Sequence, residues 1–496
     1  MSLIAFLKSN FPFASFRGSQ ESVIQSILDG HDVLALMPTG QGKSLCYQFL
    51  AKWFSLKSEN QITSNLSKKS LTLVVSPLIA LMQDQVTQAK KLGIDATFLS
   101  SLLTKDERFQ RQLEIREGRY NLILVTPERF RKPEFWQCLE AREIDLMAVD
   151  EAHCISQWGH DFRPDYTRLG GIRQSLKMPR VLALTATATP LVQAEIQSQL
   201  GFQNPVVISD GLERHNIGIR VHEIMSTEEK LELLVKLLRE PLSQGESPGA
   251  VLIYASLIDT VHKISRFLNK ANISHRLYHG DLNPSQRQGN LKAFQREPAP
   301  VMVATPAFGL GIDKQNVRQV FHFEIPGSLE SYFQEIGRAG RDGKKASATL
   351  LFDEDDVSIQ MEFIKWSHPD DEFIARVFYL IEKNGAQIQQ EGFDFLREQM
   401  NFKNRRDFRA EAAVNILERW GCLERTLDPF PLRVVRPPEA EDFVKEKSAL
   451  QFKHQNQKLL DMLRWAQNSK DCRLVGIYNY FGHSGNPCGI CDVCQS

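Results

Sequence analysis

The chain lacks a charge of its own: 60 lysines and arginines balance 60 aspartates and glutamates. That balance excludes a partner held by bulk charge alone, though a local basic groove for nucleic acid remains open. Long apolar runs are missing as well. No stretch approaches the ~18 to 20 residues that span a bilayer, so no membrane partner is expected. The opening MSLIAFLKSNFPF has no basic leader and Lys8 interrupts its apolar run, which points to the cytoplasm and not to export. Cysteine is sparse and uneven. Cys46, Cys138, Cys154 and Cys422 are scattered, while Cys472, Cys488, Cys491 and Cys494 crowd together. This excludes a disulfide framework and fits a reducing compartment with one metal site. No internal repeat is visible.

What is present reads as a soluble α/β protein. Hydrophobic residues make up 42% and charged residues 24% of 496 positions, ordinary for globular chains and long enough for roughly three domains. Short β-branched runs recur at DVLALMPTG (32–40), LTLVVSP (71–77), NLILVTP (121–127), DLMAVDEAH (145–153) and VLALTATATP (181–190). A second series follows at AVLIYAS (250–256), HRLYHG (275–280), VMVATP (301–306) and VFHFEIP (320–326). Helical patterns such as 78–92 lie between them, so the expectation is two tandem parallel-sheet lobes. The polar stretch 56–70 reads as an exposed insertion. After LFDEDDV the strand pattern stops, and 372–425 reads as helix, turn, helix. Residues 426–438 are proline-rich with one short strand, and a helix at about 448–467 leads to the cysteines. The expected domains are 1–208, 209–356, 357–440 and 441–496.

MPTGQGKS (37–44) follows a strand and opens a helix. Glycine turns let backbone amides curl around phosphates, and the helix N-terminus favours negative charge. Thr39, Gly40, Gly42, Lys43 and Ser44 are the candidate ATP-binding residues, with Lys43 on the β/γ-phosphates and Ser44 on Mg²⁺. Met37 stands where the strict phosphate-loop pattern has glycine. Asp150 and Glu151 end a later strand. An isolated acid pair is usually a solvated turn. Beside Lys43 and Ser44 it suits catalysis: Asp150 holds Mg²⁺ through water, and Glu151 orients and deprotonates the attacking water.

The ordered stretches FRGSQ (16–20), MPTGQGKS, VVSPLIALMQDQV (74–86), VTPER (125–129), DEAHCISQWGHDFRPDY (150–166) and LTATAT (184–189) resemble a superfamily-two DNA helicase, specifically the RecQ family. VATPAFGLGIDKQNVRQVFHFEIP (303–326) and SYFQEIGRAGRDG (331–343) continue the match, which spans about 5 to 355. The resemblance implies two RecA-like lobes. It implies an adenine site at Phe13, Arg17 and Gln20, with Phe13 in place of the usual tyrosine. It also implies that the loop 155–166 touches single-stranded DNA through Trp158, Phe162 and Arg163, with His153 passing on the state of hydrolysis. Aromatic stacking of this kind tolerates any base, at roughly 1–3 kcal/mol per ring. The bland alternative is a packed turn with Trp158 buried.

In the second unit Gln334, Arg338 and Arg341 are spaced to share one helical face, and the two arginines are candidate fingers for phosphoryl charge. Asp313 is a candidate inter-lobe contact. Where the family has a Ser-Arg pair after the strand, this chain has Ser256, Leu257 and Ile258, so that arginine contact is lost or supplied elsewhere. At the tail, Cys472 is followed by fifteen residues and then C-x₂-C-x₂-C, a set for tetrahedral Zn²⁺. An iron–sulfur cluster and His483 as a substitute ligand stay open. The zinc pattern resembles the RecQ module but comes later than in the usual order. Residues 372–438 are either a winged-helix-like unit, with 401–425 supplying its second and third helices and Lys403, Arg405, Arg406 and Arg409 facing phosphates, or a helical spacer. The family's helicase-and-RNase-D-type C-terminal domain has no room here.

The implied function is ATP-dependent 3′-to-5′ DNA unwinding in repair or recombination, with ATP, Mg²⁺ and Zn²⁺, on single-stranded and forked or tailed duplex DNA, at the bacterial nucleoid. The alternatives are a DNA-stimulated ATPase that remodels protein–DNA complexes, and an RNA helicase, which the acid-aromatic loop disfavours.

Overall fold

The structure is a computed structural model. It describes residues 2–38, 40–59, 70–77, 79–100, 103–156, 158, 162–212, 214–243, 249–309, 314–391, 393–400, 409–425, 432–445 and 448–496. Two compact units emerge. The first holds residues 1–324, 329–352 and 467–496; the second holds 325–328 and 353–466.

The first unit contains both expected sheets. Strands β1 (Val33–Leu36), β2 (Ser70–Val75), β3 (Ala96–Leu99), β4 (Leu122–Val125), β5 (Glu143–Val149), β6 (Arg180–Thr185) and β7 (Val206–Ser209) form one sheet in the order β3-β4-β2-β5-β6-β1-β7. All its pairings are parallel. Strands β8 (Ile217–Glu223), β9 (Ala250–Tyr254), β10 (Arg276–Tyr278), β11 (Val301–Ala304), β12 (Val317–His322) and β13 (Ala346–Phe352) form the other, ordered β10-β11-β9-β12-β13-β8 and again parallel. The central strands are buried from end to end because helices cover both faces. Each sheet has its own apolar core, one built on Leu34, Phe49, Leu73 and Met147, the other on Ile253, Ile264 and Phe321. Parallel strands all end on the same side, so the loops after them converge along one sheet edge.

A buried ion pair pins the first sheet from below. Arg173 donates to both carboxylate oxygens of Asp32 at 2.8 Å, and to the carbonyls of Pro179 and Leu200 at 3.0 Å. Asp32 in turn accepts the Val181 amide at 2.9 Å.

In the second unit, helices Asp371–Lys383, Gly385–Glu391, Phe393–Met400 and Arg409–Arg419 precede an antiparallel hairpin of β14 (Leu423–Arg425) and β15 (Leu432–Val434). Ile374, Phe378, Leu396, Val414, Leu417 and Leu423 form its core. Helices followed by a two-stranded hairpin are the elements of a winged helix; of the segment 401–425 expected to hold its second and third helices, residues 401–408 lie outside the described residues. Among the described residues, 401–425 holds one helix and a strand, and the preceding helix ends at Met400. Lys403, Arg405 and Arg406 lie outside the described residues. The Arg409 guanidinium sits over the Phe373 ring, 4.9 Å from its centroid. The helix expected at 448–467 runs Ser448–Gln467.

Arg173→Ala should destabilise the first lobe by about 3–5 kcal/mol, because it leaves Asp32 buried without its cation. Joint replacement by Arg173→Met and Asp32→Leu should recover only part of that loss, because the Pro179 and Leu200 carbonyls and the Val181 amide lose their partners. Thermal melts of the three proteins check it; a single mutant as stable as the parent would remove the pair from the account.

Candidate nucleotide cleft and metal centre

The loop after β1 turns at Gly40 and Gly42, both at positive φ (+88° and +75°), and feeds the helix Lys43–Glu59. Gly42 must be glycine for a second reason: a Cβ there would lie 2.7 Å from Gln20 Nε2. Gln20 is buried and donates to the carbonyls of Gln41 (2.8 Å) and Gly42 (3.1 Å), while its Oε1 accepts the Arg17 amide (2.9 Å). Both ends of its amide thus serve the loop, and an adenine edge would have to share them. Phe11 stacks on Phe49 inside the core, and Phe16 packs against the same ring. Phe13 remains 38% exposed, free to lie against a base. Thr39 and Asp313 lie outside the described residues.

Lys43 Nζ is buried and has no hydrogen-bond partner among the described residues. It sits near enough to Asp150 for its charge to favour the carboxylate. Burial and the neighbouring Glu151 outweigh it and push the Asp150 carboxyl up to about 6. An orphaned buried ammonium beside a reluctant carboxylate is what a phosphate–magnesium seat presents when built in advance. Ser44 lies on the same seat. Gln85 connects the two magnesium candidates: its Nε2 donates to Ser44 Oγ at 3.3 Å, and its side chain bonds Asp150. Sequence reasoning passed over Gln85, which sits inside VVSPLIALMQDQV without charge or ring to mark it.

Glu151 adopts φ +48°, ψ +50°, a left-handed conformation that costs a non-glycine residue energy and clusters at functional sites. Its Oε2 is 3.5 Å from His153 Nδ1, and that nitrogen is 2.9 Å from Thr185 Oγ1. Thr185 Oγ1 donates to the Thr187 carbonyl at 2.9 Å. A polar chain therefore runs from the acid pair into LTATAT. Trp158 is half-buried and packs against the first lobe's core, with its amide on Ser156 Oγ at 3.1 Å. Phe162 and Arg163 are half-buried too, and Arg163 Nη1 donates to the Pro77 carbonyl at 3.0 Å. The loop is thus tied to the segment after β2 and presents its rings partly, neither free nor fully packed.

The second lobe corrects one expectation. The helix bearing Gln334 spans Leu329–Ile336, so Arg338 and Arg341 lie beyond it and do not share its face. Within the turn that follows, Gly340 is at φ +56°, where a Cβ would meet Asn216 and the Lys344 carbonyl. Arg338 turns inward and donates to the Gly309 carbonyl, buried in its own lobe. Arg341 goes the other way: its Cγ would lie 3.4 Å from a Cβ on Gly40, across the cleft. Gln334 lines a small pocket between the lobes with Pro38, Ala186, Thr187, Arg214 and Gly337. Arg214, also unforeseen, donates to the carbonyls of Gly337 (3.1 Å) and Ala339. The turn bearing the arginines is held by it.

At the tail the sulfur atoms of Cys472, Cys488, Cys491 and Cys494 all lie within 4.8 Å of one another. Burial alone would raise the Cys472 thiol, but the amides of Cys488 and Val475 outweigh it and bring it down to about 7. Four convergent thiols, one poised to ionise, fit a closed Zn²⁺ site. His483 is not in the group. Arg473 clamps Asp492 at 3.0 Å, and Asp492 Oδ2 accepts the Val221 amide of β8 at 2.9 Å, so the metal loop is fastened to the second sheet's edge strand.

Known proteins share this architecture. Residues 17–195 match the DEAD/DEAH box helicase model, 229–343 the helicase conserved C-terminal domain, and 439–495 the RecQ zinc-binding model. The probable ATP-dependent DNA helicase RecS of Bacillus subtilis is 38% identical over 375 residues, covering 75% of this chain and 71% of RecS. The chain belongs to the RecQ family. The ATP-dependent DNA helicase RecQ of Haemophilus influenzae is 41% identical over 72% of this chain and 54% of its own length. The chain thus spans about half the length of that RecQ protein. Among solved structures, the DEAD-box helicase Mss116 bound to single-stranded RNA superposes with TM-score 0.58 at 17% identity, covering 92% of this chain and 95% of Mss116. That likeness speaks for the fold, two RecA-like lobes. Among the described residues no helix is long and apolar enough to cross a membrane.

A carboxyl raised from 3.8 to about 6 binds protons more readily folded than unfolded. Its ionisation cost is absent below pH 3.8 and complete above pH 6. Asp150→Asn should therefore stabilise magnesium-free protein at pH 7.5 by up to about 3 kcal/mol, with the gain shrinking toward pH 5, while ATP hydrolysis is lost. Thermal melts in chelator at both pH values test this; equal melting of mutant and parent at pH 7.5 counts against a strained carboxylate.

Elemental analysis should find one zinc per chain, and Cys491→Ser should lose it. Iron with visible absorption would transfer the site to a cluster.

Proposed function

We propose that the protein is an ATP-dependent DNA helicase that moves 3′ to 5′ along single-stranded DNA and separates duplexes ahead of it. The observation that carries this reading is the orphaned Lys43 ammonium, seated beside Asp150 on a loop whose Gly40 is approached by Arg341 from the other lobe. Such a cleft is a phosphate seat completed only when both lobes meet, which is how hydrolysis becomes movement.

In this reading Lys43 and the amides after Gly40 take the β- and γ-phosphates. Ser44 and Asp150 would hold Mg²⁺, which supplies charge neutralisation at the transferring phosphoryl group. Glu151 accepts a proton from the attacking water, and its left-handed backbone fixes its direction. Arg341 enters from the second lobe as the finger on developing charge; Arg338 braces the turn that carries it. The relay through His153, Thr185 and Thr187 links the acids to the cleft wall. Trp158, Phe162 and Arg163 meet the strand. Phe13 and Arg17 flank the adenine. The four cysteines hold Zn²⁺, whose ligation supplies free energy for folding the tail. As domain limits we take 1–208, 209–356, 357–440 and 441–496; the zinc-binding match over 439–495 supports the last.

The substrate is DNA, as the name of the Haemophilus influenzae relative suggests, and in this reading it carries a single-stranded tail or fork. Strand displacement should therefore proceed from a 3′ tail and not from a 5′ tail. Lys43→Ala should reduce ATP turnover more than about hundredfold while leaving strand binding measurable. ATP turnover without displacement on any tailed duplex would favour the remodelling ATPase instead.

A further inference from the structure

The helix Arg473–Tyr480 ends in a tight cap. The His483 amide donates to the Tyr478 carbonyl at 2.8 Å and the Gly482 amide to that of Asn479 at 3.1 Å, with Gly482 at φ +77°. This is the glycine-bearing Schellman arrangement. The cap explains the backbone of Gly482 but not its surroundings. A Cβ on Gly482 would lie 2.9 Å from Pro190 Cγ, so the corner rests directly on the first lobe. Pro190 opens the helix Pro190–Gln199 immediately after LTATAT. On its other side the corner meets the second lobe. Phe481 is 1% exposed, and its ring lies 5.7 Å from that of Phe333. Phe333 lines a small pocket between the lobes beside Gln334, opposite Pro38, Ala186 and Thr187, the segments that flank the phosphate loop and the His153–Thr185 chain. The corner cannot drift, because Arg473 and Asp492 fasten the same segment to β8.

We propose that Phe481 and Gly482 are positioning residues of the ATP cleft. They hold the Gln334 segment and the Thr185–Pro190 segment at the separation that hydrolysis needs. Neither residue ligates metal, so the role is separate from that of the four cysteines. The inference rests on the ATPase reading above. Its physical basis is that a packed corner transmits displacement without yielding, and that an error of about 1 Å between reacting groups costs as much as a hundredfold in rate.

The test compares Gly482→Ala with Gly201→Ala in the full chain. Gly201 also has positive φ (+62°), but a Cβ there meets nothing within 4 Å. Both variants suffer backbone strain; only one pushes on Pro190. Gly482→Ala should lower kcat for DNA-stimulated ATP hydrolysis at least about tenfold relative to Gly201→Ala, with KM for ATP within about twofold. It should also raise amide exchange across 185–193 and 329–340 with zinc content intact. Phe481→Leu, which keeps an apolar side chain and removes the ring, should show the same split. A kcat within twofold of Gly201→Ala overturns the proposal, and so does altered exchange with unchanged kcat. Amide exchange needs no turnover. An inactive parent would therefore refute the ATPase reading, while exchange still decides whether the corner fixes the two segments.

Discussion

Asp150 is a carboxylate held out of water at the end of a central strand, and much of the first lobe is arranged around that cost. The strand must be buried for the sheet to form, so the residue that follows its end inherits the burial. Lys43 offsets part of the charge, Gln85 donates to it, and the Tyr166 hydroxyl donates to the Asp150 carbonyl at 3.1 Å. None of these completes it. The incompleteness is useful: a metal bound to nucleotide can supply the missing charge, so binding relieves a strain that folding imposes.

Around that seat the protein uses backbone conformation where side chains would be too slow or too floppy. Glu151 is forced into the left-handed region, which aims it toward His153. The turn past Ile336 splits two arginines that the sequence places three apart: one becomes a strut inside its lobe and the other a reach across the cleft. Arg214 clips that turn to its own lobe.

Much of this was legible beforehand. The two parallel sheets, the phosphate loop, the acid pair, the cysteine cluster and the helix Ser448–Gln467 all announce themselves by pattern. Strands β3, β7, β8 and β13 did not. β7 and β8 are edge strands with half-exposed residues, so they lack a continuous apolar run, β3 opens on alanine and threonine, and β13 begins with small residues. The helical face expected for Arg338 and Arg341 failed because spacing does not reveal that the helix stops at Ile336. Gln85 and Arg214 were invisible for another reason: their importance lies in partners far away in sequence. The nucleotide site itself was read from motifs, whereas the engagement of Gln20 with the loop it neighbours is a matter of geometry.

The fastening of Asp492 to Val221 spans 271 positions of chain. During synthesis at about 5–20 residues per second, β8 would wait on the order of 15–50 s before its cap emerges from the ribosome. For the later part of that interval, once β13 has joined β8 to the sheet, the second sheet carries an uncovered margin able to pair with another nascent chain. The helical unit is made during the same wait, with a core of its own that needs nothing from the tail. Production of the protein should therefore depend on translation speed and chaperone supply more than its finished packing suggests.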